Sequence, residues 1–260
     1  MKKAILAVSV GRTYEEARRI TIGRIEEKIR AAFPAYEVRS ACTSKATIKT
    51  LNTGIAVGKL EGAIEGVISD GFRDITVQPL LLIPGIEYDY LRKIVSRCQT
   101  ERSDINIRLG RPALNYEALE NTGTDDYIVM IKALQPHLKE DKAMLFMAHG
   151  TSHTANICYA KLSQTLKSHG YNRTYIACIK GYPSIEDIIK ILKEDKVVRV
   201  KLIPFMLTSG YHVKKDMIGE DSWESSLTKE GFIVEACLMG LGELDEIQDI
   251  YIQHIREALK

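Results

Sequence analysis

No apolar run in this 260-residue chain approaches the roughly 20 residues that a bilayer-spanning helix needs, so a membrane partner is not expected. Neither sign of charge dominates: 36 basic and 34 acidic residues leave a formal net charge of +2. A dedicated nucleic-acid binder carries a stronger basic excess, so nucleic acid is not an expected partner either. The five cysteines, Cys42, Cys98, Cys158, Cys178 and Cys237, are far apart, odd in number and form no C-x-x-C pair. That excludes a disulfide framework and a zinc ribbon and predicts buried or half-buried thiols. Low-complexity segments and long linkers are absent. Lys2 and Lys3 precede a short apolar stretch over 4–10, but no A-x-A cleavage site follows. The stretch therefore reads as a first buried strand of a cytoplasmic protein rather than as a signal peptide.

What remains is the composition of an ordinary globular protein, 45% hydrophobic and 27% charged. The length suits one large α/β domain or two of about 130 residues each. Short β-rich runs at 4–10, 36–42, 74–80, 106–109, 143–148, 174–178, 197–203 and 232–237 alternate with amphipathic segments at 13–32, 55–70, 88–97, 125–134, 185–192 and 244–259. Strands apolar on both faces and separated by helices predict parallel sheets built from right-handed crossovers.

An internal repeat decides the architecture. The segment 3–11 aligns with 142–150, ending in Gly11 and Gly150, and 75–85 aligns with 200–210, matching Pro79 with Pro204, Leu82 with Leu207 and Gly85 with Gly210. The predicted fold class is α/β. It has two similar halves, each a four-stranded parallel sheet flanked by helices, with a cleft between them. The halves are placed at 1–122 and 123–260, the turn signal Asn121-Thr122-Gly123 marking the boundary. The last helix, 244–260, is a candidate to pack back on the first half. Ligands of such sheets bind beyond the carboxyl ends of the strands, and Gly11, Gly85, Gly150 and Gly210 each follow a strand and allow sharp turns there.

Several familiar site patterns fail. No G-x-G-x-x-G follows the first strand, and there is no G-x-S-x-G elbow. The stretch 54–60 resembles a phosphate loop only faintly, being one residue short, with Leu60 where Ser or Thr would meet magnesium, and it lies in a helical pattern. His149 and His153 have the spacing of a zinc helix, but His149 ends a strand and Gly150 stands where the glutamate belongs. Of the other histidines, His137, His169 and His254 sit in polar segments and read as solvated. His149, His153 and His212 lie at or just past strand ends, and in the repeat His212 matches Glu87. Imidazole with carboxylate suits a borderline divalent metal such as cobalt, nickel, iron or zinc, and equally suits proton removal near neutral pH.

A set of segments then carries a family likeness. Met147-Ala148-His149-Gly150-Thr151-Ser152-His153, Ser209-Gly210-Tyr211-His212, Asp221-Ser222-Trp223 and Gly240-Leu241-Gly242-Glu243 resemble the anaerobic sirohydrochlorin cobaltochelatase family. So do Gln78-Pro79-Leu80, Gly85-Ile86-Glu87-Tyr88 and Thr43-Ser44. The likeness runs along nearly the whole chain, in order and at similar spacing. The family belongs to the class II chelatases, relatives of ferrochelatase. The resemblance implies two α/β halves around a tetrapyrrole and a lyase-type enzyme of cobalamin synthesis. Its substrates would be sirohydrochlorin and Co²⁺, with no tightly bound cofactor and with Ni²⁺ or Fe²⁺ as alternative metals. It implies that His149 and His212 handle the metal and that Glu87 is the carboxylate of the first half. Arg12, Thr13, Thr43, Ser44, Lys180 and Tyr211 become candidates for the substrate contacts, with Lys45, Lys214 and Lys215 as further rim cations for a substrate bearing carboxylates.

Two positions depart from the family pattern. The first loop reads Val10-Gly11-Arg12-Thr13 in place of Phe-Gly-Thr-Ser, and Lys180 stands where the family carries a glutamate that joins the histidines at the metal. A protonated lysine does not ligate and repels a divalent cation. The residues thus leave two classes open, an enzyme that inserts the metal and a non-catalytic tetrapyrrole carrier derived from one. Nothing in the sequence sets the oligomeric state.

Overall fold

A computed structural model describes residues 1–11, 15–43, 49–50, 56–115, 125–138 and 141–260. In chain order they form β1 (Lys2–Ser9), α1 (Glu15–Arg18), a π-helical turn (Arg19–Gly23), α2 (Arg24–Ala32), β2 (Glu37–Cys42), β3 (Lys49–Thr50), β4 (Ala56–Lys59), α3 (Leu60–Ser69), β5 (Phe72–Pro79), α4 (Ile86–Glu101) and β6 (Asn106–Leu109). There follow α5 (Asp126–Leu134), β7 (Ala143–Gly150), α6 (Ile157–Ser168), β8 (Thr174–Lys180), α7 (Ile185–Glu194), β9 (Arg199–Phe205), α8 (Tyr211–Met217), α9 (Trp223–Lys229), β10 (Ile233–Ala236) and α10 (Asp245–Ala258). Among the described residues no helix is long and apolar enough to cross a membrane. The chain divides into two compact units. One is Met1–Gly123 with Gln248–Lys260, the other Thr124–Ile247.

The first unit holds a sheet of order β3-β4-β2-β1-β5-β6, the second a sheet of order β10-β9-β7-β8. Every pairing is parallel except the short β3–β4 pair. Read from β8, the second sheet runs β8-β7-β9-β10, the order in which β2-β1-β5-β6 run in the first. The doubled sequence thus folds twice into one four-stranded parallel arrangement. In β1, Ala4 through Val8 are fully buried, and in β7 Ala143 through Ala148 are at most 1% exposed, which only helices on both faces can achieve. On one face of the first sheet, Ala4, Leu6 and Val8 pack with Leu60, Ile64 and Val67 of α3 and Leu91 and Val95 of α4. In the second unit Leu145 and Met147 pack with Ile188 and Leu192 of α7 and Leu227 of α9. Cys42, Cys158 and Cys178 are buried and Cys98 and Cys237 half-buried, and none is in a disulfide.

Two readings are corrected, the start of a helix and the setting of a histidine. The helix expected over 55–70 begins only at Leu60, because Ala56–Lys59 joins the first sheet as β4, with Gly58 opposite Ala41. An edge pairing overrides the weak helical pattern there, since glycine and valine favour the helix little. The first sheet accordingly gains β4 and β3 beyond its four main strands. His254, read as solvated, is 1% exposed. The polar residues around it form the outer face of α10, while its other face fits the first unit.

That seating of α10 is specific. The Tyr251 hydroxyl donates to the Leu81 carbonyl at 3.0 Å, and His254 Nδ1–H donates to the Arg111 carbonyl at 3.2 Å. Arg111 forms an ion pair with Glu257, their side chains 7% and 10% exposed. Burial pushes the Glu257 carboxyl up, but the hydrogen bonds from Gln253 and Arg111 outweigh it and hold the group below the usual carboxylate range. A carboxyl lowered in the folded state adds stability above its unfolded value of about 4.3, and that stability is lost as pH falls through the folded value. Glu257→Gln is expected to cost about 2 kcal/mol at pH 7 in urea unfolding, and the difference from the parent should shrink below about pH 4.

Candidate functional site

In the second unit the sequence places functional groups just beyond three adjacent strands. His149 is the penultimate residue of β7; its six predecessors in the strand are buried and it alone is exposed. Its Nδ1 lies 3.0 Å from the Gly150 carbonyl. A carbonyl only accepts, so Nδ1 carries the hydrogen and the neutral ring keeps its lone pair on Nε2. That nitrogen is the one able to take a metal or a proton.

Gly150 makes this placement possible. It lies at φ +69°, where a side chain is strained, and an added Cβ would sit 1.7 Å from the Lys180 carbonyl oxygen and 2.7 Å from Cys178 Cβ. It pairs with Lys180 across the β7–β8 ladder. Below it the Tyr159 hydroxyl, its pKa raised by burial, takes a hydrogen bond from the Gly150 backbone, and the Tyr159 ring meets Phe205 edge to face. Of the other glycines expected to turn sharply, Gly11 also has a positive φ, whereas Gly85 has φ −86° and needs no such freedom.

His153 does different work. Its Nδ1 accepts the Ala155 N–H at 3.1 Å, capping the turn Thr154–Asn156. A nitrogen committed to a cap is not a ligand, so the two histidines of this loop divide into one that faces solvent and one that holds the backbone.

His212 is the second residue of α8, which follows β9. The segment leading to it is strapped: Leu241 N–H donates to the Met206 carbonyl at 2.8 Å and Gly242 N–H to the Leu207 carbonyl at 2.9 Å. Glu243 closes its own turn by accepting the Gly240 N–H at 2.8 Å. The first unit repeats the device. Ala113 N–H donates to the Leu81 carbonyl at 2.9 Å and Leu114 N–H to the Leu82 carbonyl at 2.8 Å. That strap leads into α4, whose second residue is Glu87, exposed in the first turn. Glu87 and His212 therefore hold the same place in their respective units. Gln78, fully buried, anchors the strand end before Glu87 by donating to the Pro79 and Arg111 carbonyls. The segment 240–243 thus owes its place in the pattern to structure. So do Ser222, which caps α9 by accepting the Ser225 N–H, and Trp223, which is buried.

Lys180 ends β8 with an exposed side chain, and Thr43 is half-buried, its N–H on the Ser9 carbonyl. Arg12, Thr13, Ser44 and Lys45 lie outside the described residues, as do the side chains of Tyr211, His212 and Lys214; Lys215 is exposed on α8. Burial pushes the Cys178 thiol up to about 12 and that of Cys158 up to about 11, so neither offers a thiolate at neutral pH. Among the described residues no three His, Cys, Asp or Glu side chains gather as a resident metal centre would need.

One residue of this site had no sequence signal beyond the preference of asparagine for helix starts. Asn156, just before α6, bonds both to Thr151 and to Tyr182.

A protein of Salmonella typhimurium named sirohydrochlorin cobaltochelatase is 30% identical over 267 residues, spanning 100% of this chain and 97% of its own length. A protein of Nitratidesulfovibrio vulgaris named sirohydrochlorin cobaltochelatase CbiKC is 28% identical, spanning 99% and 91%. Among solved structures, SirB from Bacillus subtilis with Fe³⁺ superposes with a TM-score of 0.70 at 16% identity, over 99% of this chain and 96% of that one. At that identity the likeness establishes the fold alone. The family model described as cobalt chelatase (CbiK) matches residues 3–260, and the chain belongs to that family.

Proposed function

We propose that this protein inserts Co²⁺ into sirohydrochlorin on the anaerobic route to cobalamin, and that it does so in the cytoplasm, where free thiols persist. Insertion exchanges one divalent cation for two pyrrole N–H protons, so the site must hold a metal, release it and take up protons. The observation that carries the reading is His149: an exposed imidazole at a parallel-strand end, its Nδ1–H committed to the Gly150 carbonyl and its Nε2 left to act. In this reading His149 and His212 receive the metal, and Glu87 accepts a pyrrole proton. The relatives' names support cobalt and sirohydrochlorin as the substrate pair. Imidazole also accepts nickel and iron, so rates with Ni²⁺ and Fe²⁺ under the same conditions set the metal preference. Arg12, Thr13, Thr43, Ser44 and Tyr211 are proposed to meet the macrocycle and its carboxylates.

The deciding experiment is turnover. Purified protein mixed with excess sirohydrochlorin and Co²⁺ should change the macrocycle's absorption over many equivalents. A change that stops at one equivalent per chain would instead mark a tetrapyrrole carrier, the reading favoured by Lys180 in the position of the family's glutamate.

Lys180 also yields a graded expectation. Its side chain is exposed at the end of β8, with Gly150, the residue after His149, as its ladder partner, and in this reading its ammonium adds positive charge at the site. Reversing that charge should tighten Co²⁺ binding without tetrapyrrole by about threefold to tenfold, with the gain falling as salt rises. Lys180→Ala should instead weaken sirohydrochlorin, whose carboxylates lose a cation. Calorimetric titrations of Lys180→Glu and Lys180→Ala with each ligand read both effects, and unchanged affinities would remove Lys180 from the site.

A further inference from the structure

Asn156 joins the two loops that leave β7 and β8. Its Oδ1 accepts the Thr151 N–H at 3.0 Å, and its Nδ2 donates to the Tyr182 carbonyl at 2.7 Å. The amide orientation follows from the partners, since an N–H requires the oxygen and a carbonyl requires the NH₂. Thr151 is two residues beyond His149, and Tyr182 is two beyond Lys180. One side chain therefore spans the loop behind the metal-receiving imidazole and the loop behind the lysine.

The surroundings leave this side chain little room. A Cβ on Gly181 would meet the Thr151 carbonyl at 3.0 Å and Asn156 Oδ1 at 3.2 Å, so the two loops run in contact around the amide. The Cys178 thiol, protonated because burial raises its pKa, lies 3.9 Å from Oδ1. His153 completes the turn, its N–H donating to Thr151 Oγ1 at 3.0 Å and its Nδ1 accepting from Ala155. Asn156 itself sits at the head of α6, a helix anchored in the core by Cys158, Tyr159 and Leu162. The chain of connection runs from the packed helix through the amide to both loops.

We infer that Asn156 is a positioning residue for metal insertion: its oxygen holds the strand end that presents His149, and its NH₂ holds the 181–183 loop that directly follows Lys180, the cation read as meeting the tetrapyrrole's carboxylates. The inference rests on the reading of His149 as the residue that receives the metal. The two arms of the amide are chemically separable. Aspartate keeps an acceptor for Thr151 N–H but places oxygen against the Tyr182 carbonyl, whereas alanine removes both arms.

The test is steady-state Co²⁺ insertion into sirohydrochlorin by the parent, His149→Ala, Asn156→Ala and Asn156→Asp, with thermal unfolding of each. Asn156→Ala should raise the KM for both substrates about tenfold, as displaced groups do. Asn156→Asp should return the KM for Co²⁺ to within about twofold of the parent while the KM for sirohydrochlorin stays raised. A purely structural role would lower the active fraction and leave both KM values in place, and that result would overturn the inference. If Asn156→Ala does not fold, the split between the two KM values in Asn156→Asp decides alone, and parental values for both would sink the idea. An inactive His149→Ala beside a kinetically normal Asn156→Ala overturns only the positioning role. A fully active His149→Ala overturns the underlying reading and the positioning role with it.

Discussion

His149→Ala is expected to lower the rate of Co²⁺ insertion at least about a hundredfold, the scale on which a lost proton acceptor or metal-receiving group is felt. The fold should hardly register the change. His149 is exposed at the end of β7, and truncation empties no part of the core. The loss is one hydrogen bond to the Gly150 carbonyl, so stability should fall by no more than about 1 kcal/mol. The combination of near-total loss of turnover with an almost unmoved unfolding curve separates a chemical role from a supporting one. His212→Ala should lose activity on the same scale, because His212 stands at the head of α8 on a strapped segment, as Glu87 stands on α4. Insertion rates under limiting Co²⁺ that match the parent in either variant would remove that histidine from the mechanism.

Gly150→Ala should act in the opposite order, through the fold first. The backbone at φ +69° already disfavours a side chain by about 1–2 kcal/mol. The added methyl would fall 1.7 Å from the Lys180 carbonyl oxygen, a backbone atom that cannot rotate away. The end of the β7–β8 ladder must open, separating Gly150 from Lys180 and shifting His149 with it. A loss of about 4 kcal/mol or more in urea unfolding is expected, with insertion activity falling further than the folded fraction explains. An unchanged midpoint would show that the two strands do not meet as described. The His149 and Gly150 variants together distinguish what presents the imidazole from what the imidazole does.

The solved chelatases that superpose on this chain share at most 18% of its residues among those compared, yet span 99% of it. Such a fold survives sequence change because its demands are patterned rather than particular. β1 needs only apolar side chains on both faces, and Ala4 through Val8 or Ala143 through Ala148 satisfy that equally well. The positions expected to tolerate little are those where backbone meets backbone, as at Gly150, or where a strap passes over a strand end, as at Leu241 and Gly242.

The sequence by itself determined the α/β class, the doubling and the pairing of Glu87 with His212, because buried parallel strands leave unbroken apolar runs and a repeat aligns position with position. It also singled out His149, since a histidine directly after such a run and before glycine falls at a strand's carboxyl end. Only the tertiary structure decided what each polar group near that end does. The division between His149 and His153 turns on whether Nδ1 meets a backbone carbonyl or a backbone N–H, and spacing alone does not encode that. The short strand over Ala56–Lys59 exists because β2 offers it an edge, a partner the local pattern does not reveal. The buried face of His254 and the pairing of Arg111 with Glu257 arise from contacts between residues 143 and 146 positions apart. Contacts at that separation form only when the chain has closed on itself, and for that reason Arg111 and Glu257 left no mark in the pattern that exposed the strands.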